Sequence, residues 1–346
     1  MPQLSRRDFL RLAALGLGAA TIGGVLEACK SVTTPLARPT SSRPGTAAPA
    51  TAAAPPPTPA SLPPATLIAS PTAAASAGYP DLVVVRKGEP DALVRRAIAA
   101  LGGMERFVPS GASVIVKPNV CVSYRTYEYA ATTNPWVVGT LVKMAFEAGA
   151  SSVKVMDYPY GGSAADAYAT SGIAEQVQAA GGEMVVMSDR KYVSTQIPAG
   201  KWLKQTDVYD EVLKADVLIN VPIGKVHSLA TLTLGMKNLM GVVRDRSSMH
   251  GNLGQAIADL NTVIRPDLTV VDCVRILTAH GPSGGNLDDV QKLDTVVAST
   301  DIVATDSFVA TLFGLKPDDL HYVGFGAAMG LGVSDLSKLK VADLTA

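Results

Sequence analysis

The distribution of apolar and polar positions changes at Asp81. From there to the C-terminus, short runs of valine, isoleucine and leucine alternate with stretches in which apolar residues recur every three or four positions. The short runs are typical of buried strands, and the other stretches are typical of helices. Because the two kinds alternate along the chain, we expect an α/β domain with a mainly parallel, or mixed, sheet flanked by helices.

The pattern also gives bounds for each element. The predicted strands are 82–86, 113–117, 153–157, 183–188, 217–221, 268–272 and 293–298, with a β-ribbon that extends to residue 206. The predicted helices are 91–101, 134–148, a segment ending at 180, 209–214, 229–243, 253–264, 302–313 and 318–329. Asn134 followed by Pro135 is a typical helix N-terminus, since asparagine caps the first turn and proline fits inside it.

Residues 215–254 contain the densest set of polar groups with a chemical use. Lys225 and His227 follow the apolar strand predicted at 217–221, and ligands of open α/β sheets bind outside the carboxyl ends of strands. In the helix predicted at 229–243, Thr231 and Asn238 share one face, with Lys237 on the next. A single lysine or histidine is usually solvated or structural. Their combination in one unit predicts a site made of Lys225, His227, Thr231, Lys237, Asn238 and His250.

Charge and composition narrow the classes of partner. The whole chain has a formal net charge of zero, with 30 basic and 30 acidic residues. Residues 1–80 hold six of the basic and two of the acidic residues, which leaves a net charge of −4 for residues 81–346. A nucleic-acid-binding domain needs a basic face, so we expect no nucleic-acid partner. Three cysteines are too few for a disulfide scaffold.

The first 80 residues predict export and tethering. Ser5 to Leu10 form a twin-arginine export motif around Arg6 and Arg7, and an apolar segment follows to Leu26. That segment ends in a lipoprotein-like cleavage box before Cys29, which we expect to be lipidated on the outer face of the cell membrane. Residues 30–80 are rich in Pro, Ala, Thr and Ser and predict a disordered tether. The predicted divisions are therefore a signal at 1–29, the tether at 30–80 and the α/β domain at 81–346.

Other polar residues at predicted strand ends leave three alternatives open. In the first, His227, His250, His280 and Asp157 hold a divalent metal, because imidazoles with a carboxylate are a common ligand set. In the second, Lys117, Lys225 and Lys237 bind a phosphate or carboxylate, and His227 or His250 transfers a proton. Asn119, Thr231 and Asn238 would then contact the substrate. In the third, the domain is a tethered binding or scaffolding module without catalysis.

Several short motifs resemble one known family. The motifs are Pro222-x-x-Lys225-x-His227, Thr231-Leu232 and Lys237-Asn-Leu-Met-Gly241, with Lys117-Pro-Asn119 upstream and His280-Gly-Pro-x-Gly284 and Asp301-x-x-Ala304-x-Asp306 downstream. They resemble the signature of the family named domain of unknown function 362, whose activity is not established. Some relatives carry ferredoxin-type cysteine clusters, which this chain lacks.

We therefore predict an exported, lipid-anchored enzyme that acts on a small anionic substrate. Its predicted catalytic residues are His227, His250 and Lys237. A divalent metal is the candidate cofactor. An iron–sulfur cluster is not expected, because only two cysteines remain after Cys29.

Overall fold

The computed structural model describes residues 78–346. The twin-arginine motif, Cys29 and the predicted tether up to residue 77 lie outside the described residues. Within the described part, no helix is long and apolar enough to cross a membrane.

Twelve strands and nine α-helices make up the described chain. The strands are β1 (Leu82–Arg86), β2 (Ser113–Pro118), β3 (Ser152–Val155), β4 (Glu183–Met184), β5 (Tyr192–Gln196), β6 (Gln205–Tyr209), β7 (Val217–Val221), β8 (Ile223–His227), β9 (Thr231–Thr233), β10 (Leu268–Leu277), β11 (Val290–Ser299) and β12 (Val341–Thr345). The helices are α1 (Pro90–Ala100), α2 (Pro135–Glu147), α3 (Ala164–Thr170), α4 (Ile173–Ala179), α5 (Asp210–Lys214), α6 (Gly235–Asn238), α7 (Leu253–Leu260), α8 (Ile302–Leu312) and α9 (His321–Ala328).

Ten of the strands form one mixed, mostly parallel sheet. Its order is β12-β1-β11-β10-β7-β2-β3-β4, and β8 pairs with both β10 and β9. The pairings of β11 with β1 and β10, and of β8 with β9, are antiparallel, and the others in this sheet are parallel. Strands β5 and β6 form a separate antiparallel ribbon. The predicted fold class is therefore confirmed.

The sheet is buried on both faces, as its apolar strands require. In β1, Leu82 and Val84 belong to one apolar cluster, and Val83 and Val85 belong to another. Successive side chains of a strand point to opposite faces, so a strand covered on both sides must be apolar throughout. The same rule explains why four of the five residues of β7 are apolar and all five are buried; the exception, Asn220, donates a hydrogen bond to the Gly235 carbonyl.

The predicted helix at 229–243 is wrong in its first half. Residues 223–233 form the hairpin β8–β9, with Lys225 opposite Thr233 and His227 opposite Thr231. Only Gly235–Asn238 is α-helical, and a 3-10 helix continues over Leu239–Val242. The spacing of Thr231 and Leu234 fits a helix, but Thr231–Thr233 forms a three-residue strand in which Thr231 is exposed and Leu232 and Thr233 are buried. The pairing of β9 with β8 therefore gives a strand where the sequence predicts a helix.

Candidate functional site

One cavity, with a volume of about 400 Å³, opens where the parallel strands β2 and β3 and the hairpin β8–β9 end. The segments after β2 and β3 lie on one side, and the hairpin and α6 lie on the other. This is the edge of an α/β sheet where ligands usually bind. The predicted site residues that line the cavity are Lys117, Asn119, Asp157, Lys225, His227, Lys237, Asn238 and His250.

Lys117 is buried, and its ammonium group is bound by other groups of the protein. Its Nζ lies 2.8 Å from Asp157 Oδ1, and it donates hydrogen bonds to Asn238 Oδ1 at 2.8 Å and to the Pro118 carbonyl at 2.9 Å. The Lys117 ammonium group therefore has two hydrogen bonds and one ion-pair contact, which together compensate its buried charge. Burial lowers the pKa of Lys117, and the neighbouring Asp157 carboxylate opposes that effect. Lys117 therefore stabilises the floor of the cavity and has no donor left for a ligand.

Asn238 has a similar structural role. Its Oδ1 accepts hydrogen bonds from Lys117 Nζ and, at 3.0 Å, from Asn119 Nδ2. Its Nδ2 donates to Asn220 Oδ1 at 2.8 Å and to the Lys117 carbonyl at 3.2 Å. Asn238 lines the cavity, as predicted for a substrate contact, and its side chain is bonded to Lys117, Asn119 and Asn220.

Lys225 and Lys237 lie on the same cavity without any carboxylate partner. Lys225 Nζ donates to the Ala131 carbonyl at 2.6 Å and to the Pro282 carbonyl at 3.0 Å, which leaves one N–H free. Lys237 makes no hydrogen bond or ion pair with any residue of the described chain. Burial lowers the pKa of Lys237 to about 7, and the positive charges of Lys225, Arg246 and Lys117 act in the same direction. Its amine is therefore partly neutral at physiological pH.

His227 is a neutral hydrogen-bond donor. Its Nδ1 accepts the backbone N–H of Leu229 at 3.1 Å and that of Ala230 at 3.3 Å, so the ring proton must lie on Nε2. Burial, followed by the charges of Lys237 and Lys225, lowers its pKa to about 3. The imidazole of His227 is therefore uncharged near neutral pH, and the predicted proton transfer by this residue stays a prediction.

Two further polar atoms on the cavity are buried and unpartnered among residues 78–346. They are Asn119 Oδ1 and Thr233 Oγ1. Buried polar atoms without a hydrogen-bond partner are rare, because each costs about 1–3 kcal/mol. Both atoms line the same cavity as the free amine of Lys237, which indicates that a polar ligand there would supply the missing partners.

Arg246 and His250 also line the cavity. The Arg246 guanidinium donates to the carbonyls of Tyr158 and Pro159, at 3.1 and 3.2 Å, and lies 5.0 Å from the centre of the Tyr158 ring. His250 is exposed at the edge of the cavity. Once the Lys117–Asp157 pair is set aside, the remaining charged groups of the cavity are Lys225, Lys237 and Arg246, all basic.

The short helix α6 is held in place by buried side chains. The Asp306 carboxylate accepts the backbone N–H of Gly235 at 2.7 Å and that of Met236 at 2.9 Å. Asn220 Nδ2 donates to the Gly235 carbonyl at 3.0 Å, and Asn261 Nδ2 donates to the Met236 carbonyl at 3.0 Å. The role of Asp306 in the motif Asp301-x-x-Ala304-x-Asp306 is therefore to position the turn that carries Lys237.

Of the residues predicted to bind a metal, Asp157, His227 and His250 line the cavity and His280 does not. His280 is exposed, and its Nδ1 lies 2.8 Å from Asp289 Oδ2. Asp157 is paired with Lys117, and His227 uses Nδ1 to accept backbone N–H groups. Among residues 78–346, no group of three or more His, Cys, Asp or Glu side chains could hold a metal ion. Thr231, the predicted substrate contact, is exposed at the hairpin turn with a φ of 64° and does not line the cavity.

Sequence reasoning missed several lining residues, among them Thr233, Cys121 and Arg246. Had the sequence been read as a hairpin, Thr233 could have been predicted at the cavity, because the strand register places it opposite Lys225. Cys121 is a free thiol whose Sγ lies 3.5 Å from the Pro282 carbonyl, and Cys273 is a second free thiol inside the sheet. No local sequence pattern predicts that Arg246 lies at the cavity, because its position depends on hydrogen bonds to Tyr158 and Pro159 in the loop after β3.

Sequence comparison relates the chain to a known protein. A thylakoid-associated protein from Synechocystis sp. is 28% identical over 255 residues, which cover 69% of this chain and 75% of that protein.

Two solved structures match over shorter shares of their length. The lactate racemase apoprotein from Thermoanaerobacterium thermosaccharolyticum has 12% identity and a TM-score of 0.39, over 62% of this chain and 53% of that one. A protein from Thermotoga maritima has 9% identity and a TM-score of 0.41, over 66% of this chain and 60% of that one. The chain thus spans between half and two thirds of each solved structure. The model of the family described as Domain of unknown function (DUF362) matches residues 114–311, and the chain belongs to that family.

Proposed function

We propose that this domain is an enzyme that binds a small organic anion in the cavity and acts on it with the amine of Lys237. The observation that carries the proposal is the set of unused polar groups that line the cavity: Lys237 Nζ, the third N–H of Lys225, His227 Nε2–H, Asn119 Oδ1 and Thr233 Oγ1. A ligand with carboxylate or phosphate oxygens satisfies the donors, and a hydroxyl or amide of the same ligand satisfies the acceptors.

The electrostatics favour an anion over a neutral or cationic ligand. Lys225 and Arg246 are held by backbone carbonyls, which orient their donors without cancelling their charge. An anion between them is stabilised by both charges at short range and low dielectric. A partly neutral Lys237 adds a group that accepts a proton or attacks an electrophilic carbon.

Calorimetric titration of the full chain with oxalate and with inorganic phosphate tests the proposal. We expect at least one of these anions to bind, and Lys225→Met and Arg246→Met each to weaken its affinity about tenfold or more, equivalent to about 1.4 kcal/mol. The matched control is Lys292→Met, since Lys292 is an exposed lysine paired with Asp294 away from this cavity. Absence of binding by either anion, or equal loss in the control, would count against the proposal.

We further propose that the chain is exported by the twin-arginine route and anchored through a lipid on Cys29. The support is the sequence: the Arg6-Arg7 motif, the apolar segment to Leu26 and the cysteine that follows. The description of the Synechocystis relative as thylakoid-associated agrees with a location at a membrane.

A further inference from the structure

We propose that Lys237 forms an imine with the carbonyl carbon of a small oxo acid, whose carboxylate is bound by Lys225 and Arg246. This proposal rests on the anion site proposed above and specifies its substrate class. Within α6, the backbone is held by hydrogen bonds to side chains of other elements. The amine of Lys237, in contrast, has no hydrogen-bond partner in the described chain.

The backbone around Lys237 is fixed by side chains from three other elements. Asp306 of α8 accepts the N–H groups of Gly235 and Met236, and Asn220 of β7 donates to the Gly235 carbonyl. The following residue, Asn238, is held by four hydrogen bonds to Lys117, Asn119 and Asn220. A reactive group needs such support, because a nucleophile must be held close to its attack geometry.

The amine itself has no partner that would block it. A lysine with a structural role ends on a carboxylate or on carbonyl oxygens, as Lys117 and Lys225 do in the same cavity. Lys237 does neither within the described chain, although it lies in a largely buried cavity. An unused amine in this setting costs stability, and the cost is explained if the amine reacts with a ligand.

The surrounding charges keep part of the amine neutral. Burial and the cations around Lys237 bring its pKa to about 7, while the nearby thiol of Cys121 acts in the opposite direction. The carboxylate of Asp157, which lines the same cavity, is already paired with Lys117. Only the neutral amine has the lone pair that attacks a carbonyl, and neighbouring cations are a known means of producing it. The charged and titratable groups that line the cavity with Lys237 are Lys117, Cys121, Asp157, Tyr158, Tyr160, Lys225, His227, Arg246 and His250.

The reaction balances with groups present in the cavity and water. The Lys237 nitrogen bonds to the carbonyl carbon, the C=O π electrons move to oxygen, and the proton lost from nitrogen reaches that oxygen through solvent. The hydroxyl then takes up a second proton, which replaces the remaining proton lost from nitrogen to solvent, and leaves as water as the C=N bond forms, so that amine and ketone give imine and one water. His227 Nε2–H stabilises the oxygen as negative charge develops on it, without giving up its proton. Asn119 Oδ1 and Thr233 Oγ1 can accept from the hydroxyl.

Reductive trapping tests the proposal on the full chain. The protein is incubated with pyruvate and sodium cyanoborohydride, and the modified residue is located by peptide mass mapping. We expect one reduced pyruvate adduct per chain, on Lys237. Lys237→Met should lose it, and Lys225→Met should slow its formation about tenfold. Lys338→Met, which removes an exposed lysine, should leave trapping unchanged. Acetone, which lacks the carboxylate, should label Lys237 at least about tenfold more slowly.

The dependence of labelling on pH separates Lys237 from surface lysines without any variant. A group with a pKa of about 7 gains about tenfold in neutral amine between pH 6 and 8 and then levels off. A surface lysine with an ordinary pKa gains about a hundredfold over the same interval and continues to rise. Labelling of Lys237 should follow the first profile.

Oxalate binding distinguishes the two proposals. If oxalate binds and pyruvate labels only surface lysines, the imine is refuted and the anion site stands. If neither oxalate nor phosphate binds and Lys237 is not labelled, both are refuted. Selective labelling of Lys237 that oxalate suppresses supports both.

Discussion

Lys117 and Lys237 line the same cavity but have opposite electrostatic environments. Lys117 has an ion pair and two hydrogen bonds, so its buried charge is compensated. Lys237 has three donors and no acceptor within the described chain. A compensated lysine contributes to structure, whereas an uncompensated lysine lowers stability and remains available to a ligand. The two lysines are equivalent in the sequence, and only their neighbours assign them different roles.

The Lys237→Met variant should be more stable than the native protein at low pH. The folded pKa of about 7 lies below the value of 10.5 for a free lysine, so unfolding takes up a proton between these values and native stability rises with pH there. Below pH 7 the folded protein carries the full cost of the buried charge. We expect methionine, which keeps the apolar stem, to raise the free energy of unfolding by about 2–4 kcal/mol at pH 6.

Urea unfolding at pH 6, 8 and 10 measures this difference. The gap between variant and native protein should be widest at pH 6 and shrink as the pH approaches 10. Lys338→Met serves as the control and should shift neither curve. A variant that is less stable at pH 6 would show that Lys237 has a stabilising partner.

At the scale of secondary-structure elements, the 3-10 helix after α6 packs against the Lys117–Asp157 ion pair through Gly241. A methyl group on Gly241 would overlap Asp157 Oδ1 and lie 2.6 Å from Lys117 Nζ. The backbone of Gly241 also accepts the N–H of Tyr158 at 3.1 Å, so it cannot move away without loss. The glycine that ends the motif Lys237-Asn-Leu-Met-Gly241 is therefore required by close approach.

Gly241→Ala should accordingly lower the free energy of unfolding by at least about 2 kcal/mol and weaken oxalate binding, because the buried ion pair must shift. The control is Gly324→Ala in α9, where an added methyl meets no atom within 4 Å. That substitution should be neutral or stabilising by about 0.5–1 kcal/mol, since alanine is the better helix former. Thermal unfolding of both variants decides the comparison; equal stability of the two would show that the ion pair tolerates the extra methyl.

Along the full chain, the proposed anchor and the proposed site are separate parts. The residues of the site all follow Asp81, and the export motif and Cys29 lie within the first 29 positions. We therefore expect Cys29→Ser to abolish labelling by a radioactive or clickable fatty acid and to release the protein from the membrane fraction. Oxalate affinity of the purified variant should equal that of the native chain. Acyl labelling that survives the substitution would remove Cys29 as the lipidation site.

The amino-acid sequence is sufficient to predict the fold class and to predict which segments line the cavity. Apolar runs such as Leu82 to Val85 in β1 are buried on both faces, and strands that alternate with helices form a mainly parallel sheet. Parallel strands share one carboxyl edge, so the positions of Lys117, Asn119, Lys225 and His227 just after apolar runs are enough to place them at that edge.

The role of each polar residue at that edge depends instead on tertiary contacts. The pairing of β8 with β9 gives a hairpin where the sequence predicts a helix, which exposes Thr231 and brings Thr233 to the cavity. Residues 121 positions apart, Lys117 and Asn238, occupy each other's hydrogen-bonding groups, and Lys237 remains free. Hydrogen-bond partners, burial and pKa values depend on distances between segments remote in sequence, and local composition does not contain those distances.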